Sequence, residues 1–340
     1  MKIVITGGGT AGHIFPAISV GKYLQEQHGA ELFFIGNKNH IESRLAKENN
    51  IPFFGIPSQG LEGNYFTFFT KNAMGVCEAL NILRKIKPDY VFSTGGFVSA
   101  PTITAANILR IPYGIHEQNS IIGKVNKLFQ RNARTFFYSF PAEQRENTCY
   151  SGNPVRLKDK LAVNGAKLLF TGGSGGSIKL NQTAVEFAKQ HPDIPCILIS
   201  GQKNYKQLVE QGIPANLEVL PFVSDMKSLY AQAKVMVCRS GSGTLFEMAN
   251  LSIPSILVPL PTSADDHQKK NALYFAKENA ALLVEQKDYF EEKLTGAILE
   301  LWNNETKRNE IQQALAQLAI PESEKVIAHR ILKDIGYSSI

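Results

Sequence analysis

The sequence has no run of the ~18 apolar residues that crosses a bilayer as a helix. It holds only four cysteines in 340 residues. Cys77, Cys149, Cys196 and Cys238 are scattered, with no C-x-x-C and no zinc-ligand spacing. Neither a disulfide framework nor a metal site is expected, and the thiols fit a reducing compartment. There is no G-x-x-x-x-G-K-S/T motif, which argues against ATP hydrolysis. Charged residues make up 19% against 44% hydrophobic, which excludes a disordered chain and a charged helical rod. Only Ile3–Thr6 separate Lys2 from a glycine run. That is too short for a signal-peptide core, so a cytosolic protein is expected. The charge present leans to one sign: 36 Lys and Arg against 30 Asp and Glu, a net +6. Such a surface suits nucleic acid, an acidic membrane face or a phosphorylated substrate, and charge alone does not choose.

What is there is a repeated pattern. Short apolar runs read as buried strands: Ile3–Ile5, Leu32–Ile35, Tyr90–Phe92, Tyr113–Ile115, Leu168–Phe170, Cys196–Ile199, Val235–Val237 and Ser255–Val258. Amphipathic stretches such as Ile14–Gln27 and Lys179–Lys189 lie between them. Strand–helix alternation predicts an α/β fold, with parallel sheets covered by helices. Lys2–Ala11 also lines up with Lys167–Gly176, about half the chain further on. Each half opens with a strand, a glycine turn and a helix, so two tandem Rossmann-like domains are expected. The expected boundaries are 1–153, 154–320 and a last helix over 321–340. That helix carries Val326, Ile327, Ile331, Leu332 and Ile335 at helical spacing. It can pack on either domain, and a return to the N-terminal one is the expectation.

Gly7-Gly8-Gly9-Thr10-Ala11-Gly12 satisfies G-x-G-x-x-G between a strand and a helix. A dinucleotide site also needs an acidic residue at the end of the second strand. Glu31 stands at the wrong end, and the exit is Gly36-Asn37. A nicotinamide oxidoreductase is therefore disfavoured. His13 sits at the mouth of the turn, where ligands of open α/β sheets bind. In the second half, Ser240-Gly241-Ser242-Gly243-Thr244 leads from a strand into a helix start, a seat for a pyrophosphate. Glu247 lies one turn in, able to accept from a ribose diol or merely to complement the helix dipole. Asp265–Asn271 is another polar strand exit, and the Gln268 amide suits a sugar hydroxyl. His116-Glu117-Gln118-Asn119 reads as loop or cleft surface rather than core. Gly172-Gly173-Ser174-Gly175-Gly176 has the form of a nucleophile elbow, but its position makes a hydrolase a distant option.

Taken together, these segments make the chain resemble the bacterial peptidoglycan glycosyltransferases of family 28. The carrying motifs, in the family's order, are Gly7–His13, Gly95–Pro101, His116–Asn119, Gly152–Arg156, Gly172–Ser174, Arg239–Gly241 with Glu247, and Asp266–Gln268 with Asn271. The resemblance covers Met1 to about His329. It implies a GT-B fold, two Rossmann-like domains facing a cleft. It also implies inverting transfer of N-acetylglucosamine from UDP-GlcNAc to the muramoyl 4-hydroxyl of lipid I, without metal or cofactor. The first domain then serves the acceptor and the membrane, and the second the donor. For the donor the resemblance implies Thr10, Ala11, Gly12, Asn119, Arg156, Ser174, Val223, Ser242, Gly243, Thr244, Glu247 and Gln268. For the acceptor it implies Gly8, Gly9, His13, Gly95, Gly96, His116 and Glu117, with His13 the candidate base. Implied partners are UDP-GlcNAc, lipid I, the anionic cytoplasmic face of the inner membrane and other cell-wall proteins, and not nucleic acid. Ala11 departs from the family's usual glycine, and Ser242-Gly243 from an alanine-leucine pair. Tyr65–Lys71, aromatic and followed by Arg84, Lys85 and Lys87, is either a membrane-docking segment or a core-facing helix side. Another GT-B enzyme acting on a UDP-sugar, such as an epimerase, and a non-catalytic sugar-nucleotide sensor remain alternatives.

Overall fold

The computed structural model describes residues 1–38, 40–60, 64–143, 145–157, 165–173 and 175–337. It divides into two compact units: Met1–Arg156 with Glu322–Ile340, and Leu157–Pro321.

Unit 1 runs β1 (Lys2–Thr6), α1 (Ala11–His28), β2 (Glu31–Asn37), α2 (Ile41–Glu48), β3 (Phe53–Ile56), α3 (Tyr65–Ile86) and β4 (Tyr90–Ser93). It continues with α4 (Ala100–Ile108), β5 (Tyr113–Glu117), α5 (Lys124–Phe129), β6 (Thr135–Tyr138) and β7 (Thr148–Tyr150). The strands form one seven-stranded sheet in the order β3-β2-β1-β4-β5-β6-β7. Its pairs are parallel: Ile3 faces Leu32 on one side and Tyr90 on the other. Both faces are covered, which is why β1 and β4 are near-continuous apolar runs. One face packs Ile3, Ile5, Ile14, Leu24 and Phe92, the other Val4, Ile35, Leu83, Val91 and Ile115.

Unit 2 runs β8 (Lys167–Thr171), α6 (Ile178–Gln190), β9 (Cys196–Ile199), α7 (Gln202–Glu210), β10 (Leu217–Leu220), α8 (Met226–Tyr230) and β11 (Ala233–Cys238). Then come α9 (Ser242–Leu251), β12 (Ser255–Leu257), α10 (His267–Lys277), β13 (Leu282–Leu283), α11 (Phe290–Asn303) and α12 (Glu305–Leu318). Its six parallel strands are ordered β10-β9-β8-β11-β12-β13. The chain then returns to unit 1 as α13 (Ser323–Asp334), whose Ile327, Ala328, Ile331 and Leu332 join the Ile14–Ala17 face of α1.

The eight strands expected from apolar runs are all present. β3, β6, β7, β10 and β13 are additional, each two to four residues long. Strands this short carry too few apolar positions to stand out from loop sequence.

In each sheet the strand order reverses beside the first strand, between β1 and β4 in unit 1 and between β8 and β11 in unit 2. Such switch points open a crevice at the carboxyl ends of the strands. Both glycine turns singled out in the sequence stand there.

Candidate active site

At the switch point of unit 1 the turns after β1 and β4 touch. A Cβ on Gly96 would overlap the Gly8 carbonyl, and Gly96 itself has φ +79°, so only glycine fits. Gly95 has φ +83° and lies against the Asn126 side chain. Gly7 and Gly8 are buried, whereas Gly9, Thr10 and Gly12 are exposed. Ala11 opens α1. His13, in the first turn of α1, is half-buried, and its Nδ1 is 2.9 Å from Thr10 Oγ1. The Thr94 hydroxyl donates to the His13 carbonyl, tying the start of α1 to the end of β4.

The expectation that His116–Asn119 is loop or cleft surface is corrected. His116, Glu117 and Gln118 are buried, and Asn119 is half-buried. Gln118 Nε2 donates to the Thr94 and His116 carbonyls and lies 3.1 Å from His116 Nδ1. An amide N–H only donates, so Nδ1 is the acceptor and Nε2 carries the proton, given to Gly152 O at 2.9 Å. Burial, reinforced by the nearby His13 charge and opposed by the Gly152 hydrogen bond, pushes His116 down to about 4. Its imidazole is neutral at pH 7. Glu117 accepts from the N–H groups of Asn119 (3.0 Å) and Gly123 (2.8 Å) and from Asn126 Nδ2 (2.8 Å). Burial raises its carboxyl, and these hydrogen bonds oppose the rise. Through these hydrogen bonds the residues brace the Thr94–Gly96 turn from beneath. Asn126 and Gln118 escaped prediction as braces because nothing local marks a polar residue that turns inward. Arg156 closes unit 1, its guanidinium 3.3 Å from the centroid of the Phe15 ring of α1.

In unit 2, α9 begins at Ser242, and a Cβ on Gly241 or Gly243 would meet nothing within 4 Å. The start of α9 is thus open at both glycines, and a helix N-terminus is a place for anionic oxygen. Ser242 is buried, and Gly243, Thr244 and Glu247 are half-buried. Glu247 Oε2 accepts from the buried Tyr230 hydroxyl at 3.1 Å. Burial first, then the Glu247 charge, hold that phenol protonated. Gln268, at the start of α10, accepts at Oε1 from Leu260 N (3.0 Å), and its carbonyl accepts from Ser240 Oγ (2.8 Å). Val223 is half-buried in the β10–α8 connection. Ser174 lies outside the described residues.

Arg239, at the end of β11, is buried and ties this region together. It donates to the carbonyls of Val258 and Pro259, to Ser177 Oγ and to Gln286 Oε1. Among the described residues no group of three or more His, Cys, Asp or Glu could hold a metal ion.

The aromatic segment opens α3. Tyr65, Phe66 and Phe69 are 73%, 75% and 67% exposed, so this side of α3 does not face a core. Lys71 shares this end of the helix. Arg84, Lys85 and Lys87 are corrected as its companions: at 1.5 Å per residue, Arg84 lies about 27 Å from Phe66 along α3. No helix among the described residues is long and apolar enough to cross a membrane.

Two open parallel sheets, each with a glycine turn at its switch point, make an α/β fold of the GT-B type. Residues 3–138 match the glycosyltransferase family 28 N-terminal domain, and residues 167–331 match the family's C-terminal domain. The chain belongs to glycosyltransferase family 28. It is 31% identical to the UDP-N-acetylglucosamine--N-acetylmuramyl-(pentapeptide) pyrophosphoryl-undecaprenol N-acetylglucosamine transferase of Bacillus pumilus, over 98% of this chain and 99% of the relative. The enzyme of the same name from Lactococcus lactis is 32% identical, over 99% and 100%. Acinetobacter baumannii MurG superposes with a TM-score of 0.82 at 30% identity, over 98% of this chain and 99% of that one. A Neisseria meningitidis UDP-GlcNAc 2-epimerase shares the fold alone, at 14% identity, a TM-score of 0.68 and coverage of 98% and 100%.

Proposed function

We propose that this chain transfers N-acetylglucosamine from UDP-GlcNAc to the muramoyl 4-hydroxyl of lipid I, N-acetylmuramyl-(pentapeptide) pyrophosphoryl-undecaprenol, and so forms lipid II. The carrying observation is full-length identity above 30% to transferases of that name, with the motif residues standing at both switch points. The epimerase likeness is one of fold, and fold does not select chemistry.

In this reading unit 2 takes the donor. The α9 N-terminus at Ser242, Gly243 and Thr244 receives the diphosphate, Glu247 accepts from the ribose diol and Gln268 meets the sugar hydroxyls. The Val223 backbone reads uracil, and Ser174 completes the donor set of unit 2. Unit 1 takes the acceptor on Gly8, Gly9, Gly95 and Gly96, with His116 and Glu117 bracing those turns from inside.

The chemistry is a direct displacement. The acceptor O4 bonds to the anomeric carbon as the bond to the β-phosphate oxygen breaks, and UDP leaves with that electron pair. The helix N-terminus stabilises the departing charge. With Nδ1–H given to Thr10 Oγ1, His13 takes the hydroxyl proton on Nε2. The exposed Tyr65, Phe66 and Phe69 with Lys71 dock on the cytoplasmic face of the inner membrane, where the lipid-linked acceptor and other cell-wall proteins are met.

The test is transfer itself. Radiolabelled UDP-GlcNAc and a short-chain lipid I analogue should yield a disaccharide product, with UDP-GalNAc a poor donor. Release of free sugar or an epimer without product overturns the reading.

A further inference from the structure

Glu42, in the first turn of α2, is fully buried. Its Oε1 accepts from the Gly9 N–H at 2.7 Å. Its Oε2 is buried and has no hydrogen-bond partner among the described residues. A Cβ on Gly8 would overlap Oε1, and the Glu42 Cβ packs against Gly36 at the exit of β2. A glycine turn whose N–H groups converge is a cradle for an anion. Here the chain's own Glu42 carboxyl takes one of those N–H groups, that of Gly9, from the interior side. The Gly9 N–H is spent inward, while Gly9, Thr10 and Gly12 keep an exposed outer face. The turn leads directly to Thr10, whose hydroxyl meets His13 Nδ1 at 2.9 Å.

We propose that Glu42 is a positioning residue for transfer: its carboxylate, buried under the Gly7–Gly12 turn, fixes Thr10 and, through it, the His13 imidazole. This rests on the transfer reading above and deepens it. Buried carboxylate oxygens left without partners are costly.

The test uses the full chain with UDP-GlcNAc and a short-chain lipid I analogue. Glu42→Ala should lower kcat by about 10²-fold, the scale expected of a misplaced catalytic group. Its UDP-GlcNAc Kd should change far less than kcat, because of the implied donor residues only Thr10, Ala11 and Gly12 belong to this turn. Glu42→Gln retains an oxygen that accepts from Gly9 N–H and should recover most of kcat. Glu42→Asp, one methylene short, should not. Gly8→Ala should cost activity in the wild type and little more in the Glu42→Ala background, since the overlap is then gone. Wild-type kcat in Glu42→Ala overturns the proposal. So does a loss that merely follows the folded fraction, with UDP-GlcNAc binding lost in parallel, or recovery by Asp rather than Gln. A wild-type chain that transfers nothing sinks the transfer reading instead.

Discussion

The Tyr90 hydroxyl donates to Asp334 Oδ2 at 2.9 Å, joining residues 244 positions apart. Asp334 also accepts from Thr135 Oγ1 (2.7 Å) and from Arg330 Nε (3.2 Å). One buried carboxylate thus fastens the end of α13 under the β4–β5–β6 part of the sheet. Asp334→Ala should destabilise unit 1 by on the order of 3 kcal/mol, because it strands buried donors. Tyr90→Phe should cost about 1 kcal/mol. Urea unfolding followed by circular dichroism checks both, and an unchanged midpoint for Asp334→Ala removes the clamp.

His116 predicts a pH dependence. Its folded-state value, about 4, lies below the ordinary ~6.5 of an unfolded histidine. The neutral imidazole therefore contributes fully above ~6.5, and the contribution is lost as pH falls toward about 4. The total is on the order of 3 kcal/mol. Glu117, raised by burial, works in the opposite sense as pH rises past its ordinary range. The difference between wild type and His116→Gln isolates the histidine. Melting temperatures at pH 7.5 and 5 should diverge more in the wild type than in the variant.

In the donor set, Glu247→Ala should weaken UDP-GlcNAc binding by about 1–3 kcal/mol through lost charge-assisted hydrogen bonds. Gln268→Ala should narrow the preference for UDP-GlcNAc over UDP-GalNAc. Calorimetry with both nucleotides decides. Two variants that bind like the wild type would take the donor away from unit 2.

The exposed start of α3 predicts salt-sensitive sedimentation with anionic liposomes. A Tyr65/Phe66/Phe69 triple serine variant should stay in the supernatant while keeping its donor affinity. Equal sedimentation of both proteins would free this patch from membrane docking.

His13→Ala should retain UDP-GlcNAc binding and lose about 10²-fold or more in kcat, as removal of a general base does. Near-normal kcat with a raised lipid I KM would move His13 to acceptor binding.

Local sequence alone determined the strand–turn–helix units and their tandem repeat. A buried parallel strand must be apolar along its length, and the turn that follows must be small, so both leave a mark in consecutive residues. It also placed His13 in the helix after β1, and Ser242 and Glu247 in the helix after β11, because each follows such a strand within a few residues. Tertiary structure decided which way the polar residues face. His116, Glu117 and Gln118 read as surface until burial and their hydrogen bonds turned them into braces. Glu42 carried no signal, since its partner Gly9 lies 33 residues away. The exposure of Tyr65, Phe66 and Phe69 was equally hidden, for an aromatic helix side has the same spacing whether it meets a core or water. Periodicity records which residues share a side of an element. What that side meets is set by partners far along the chain.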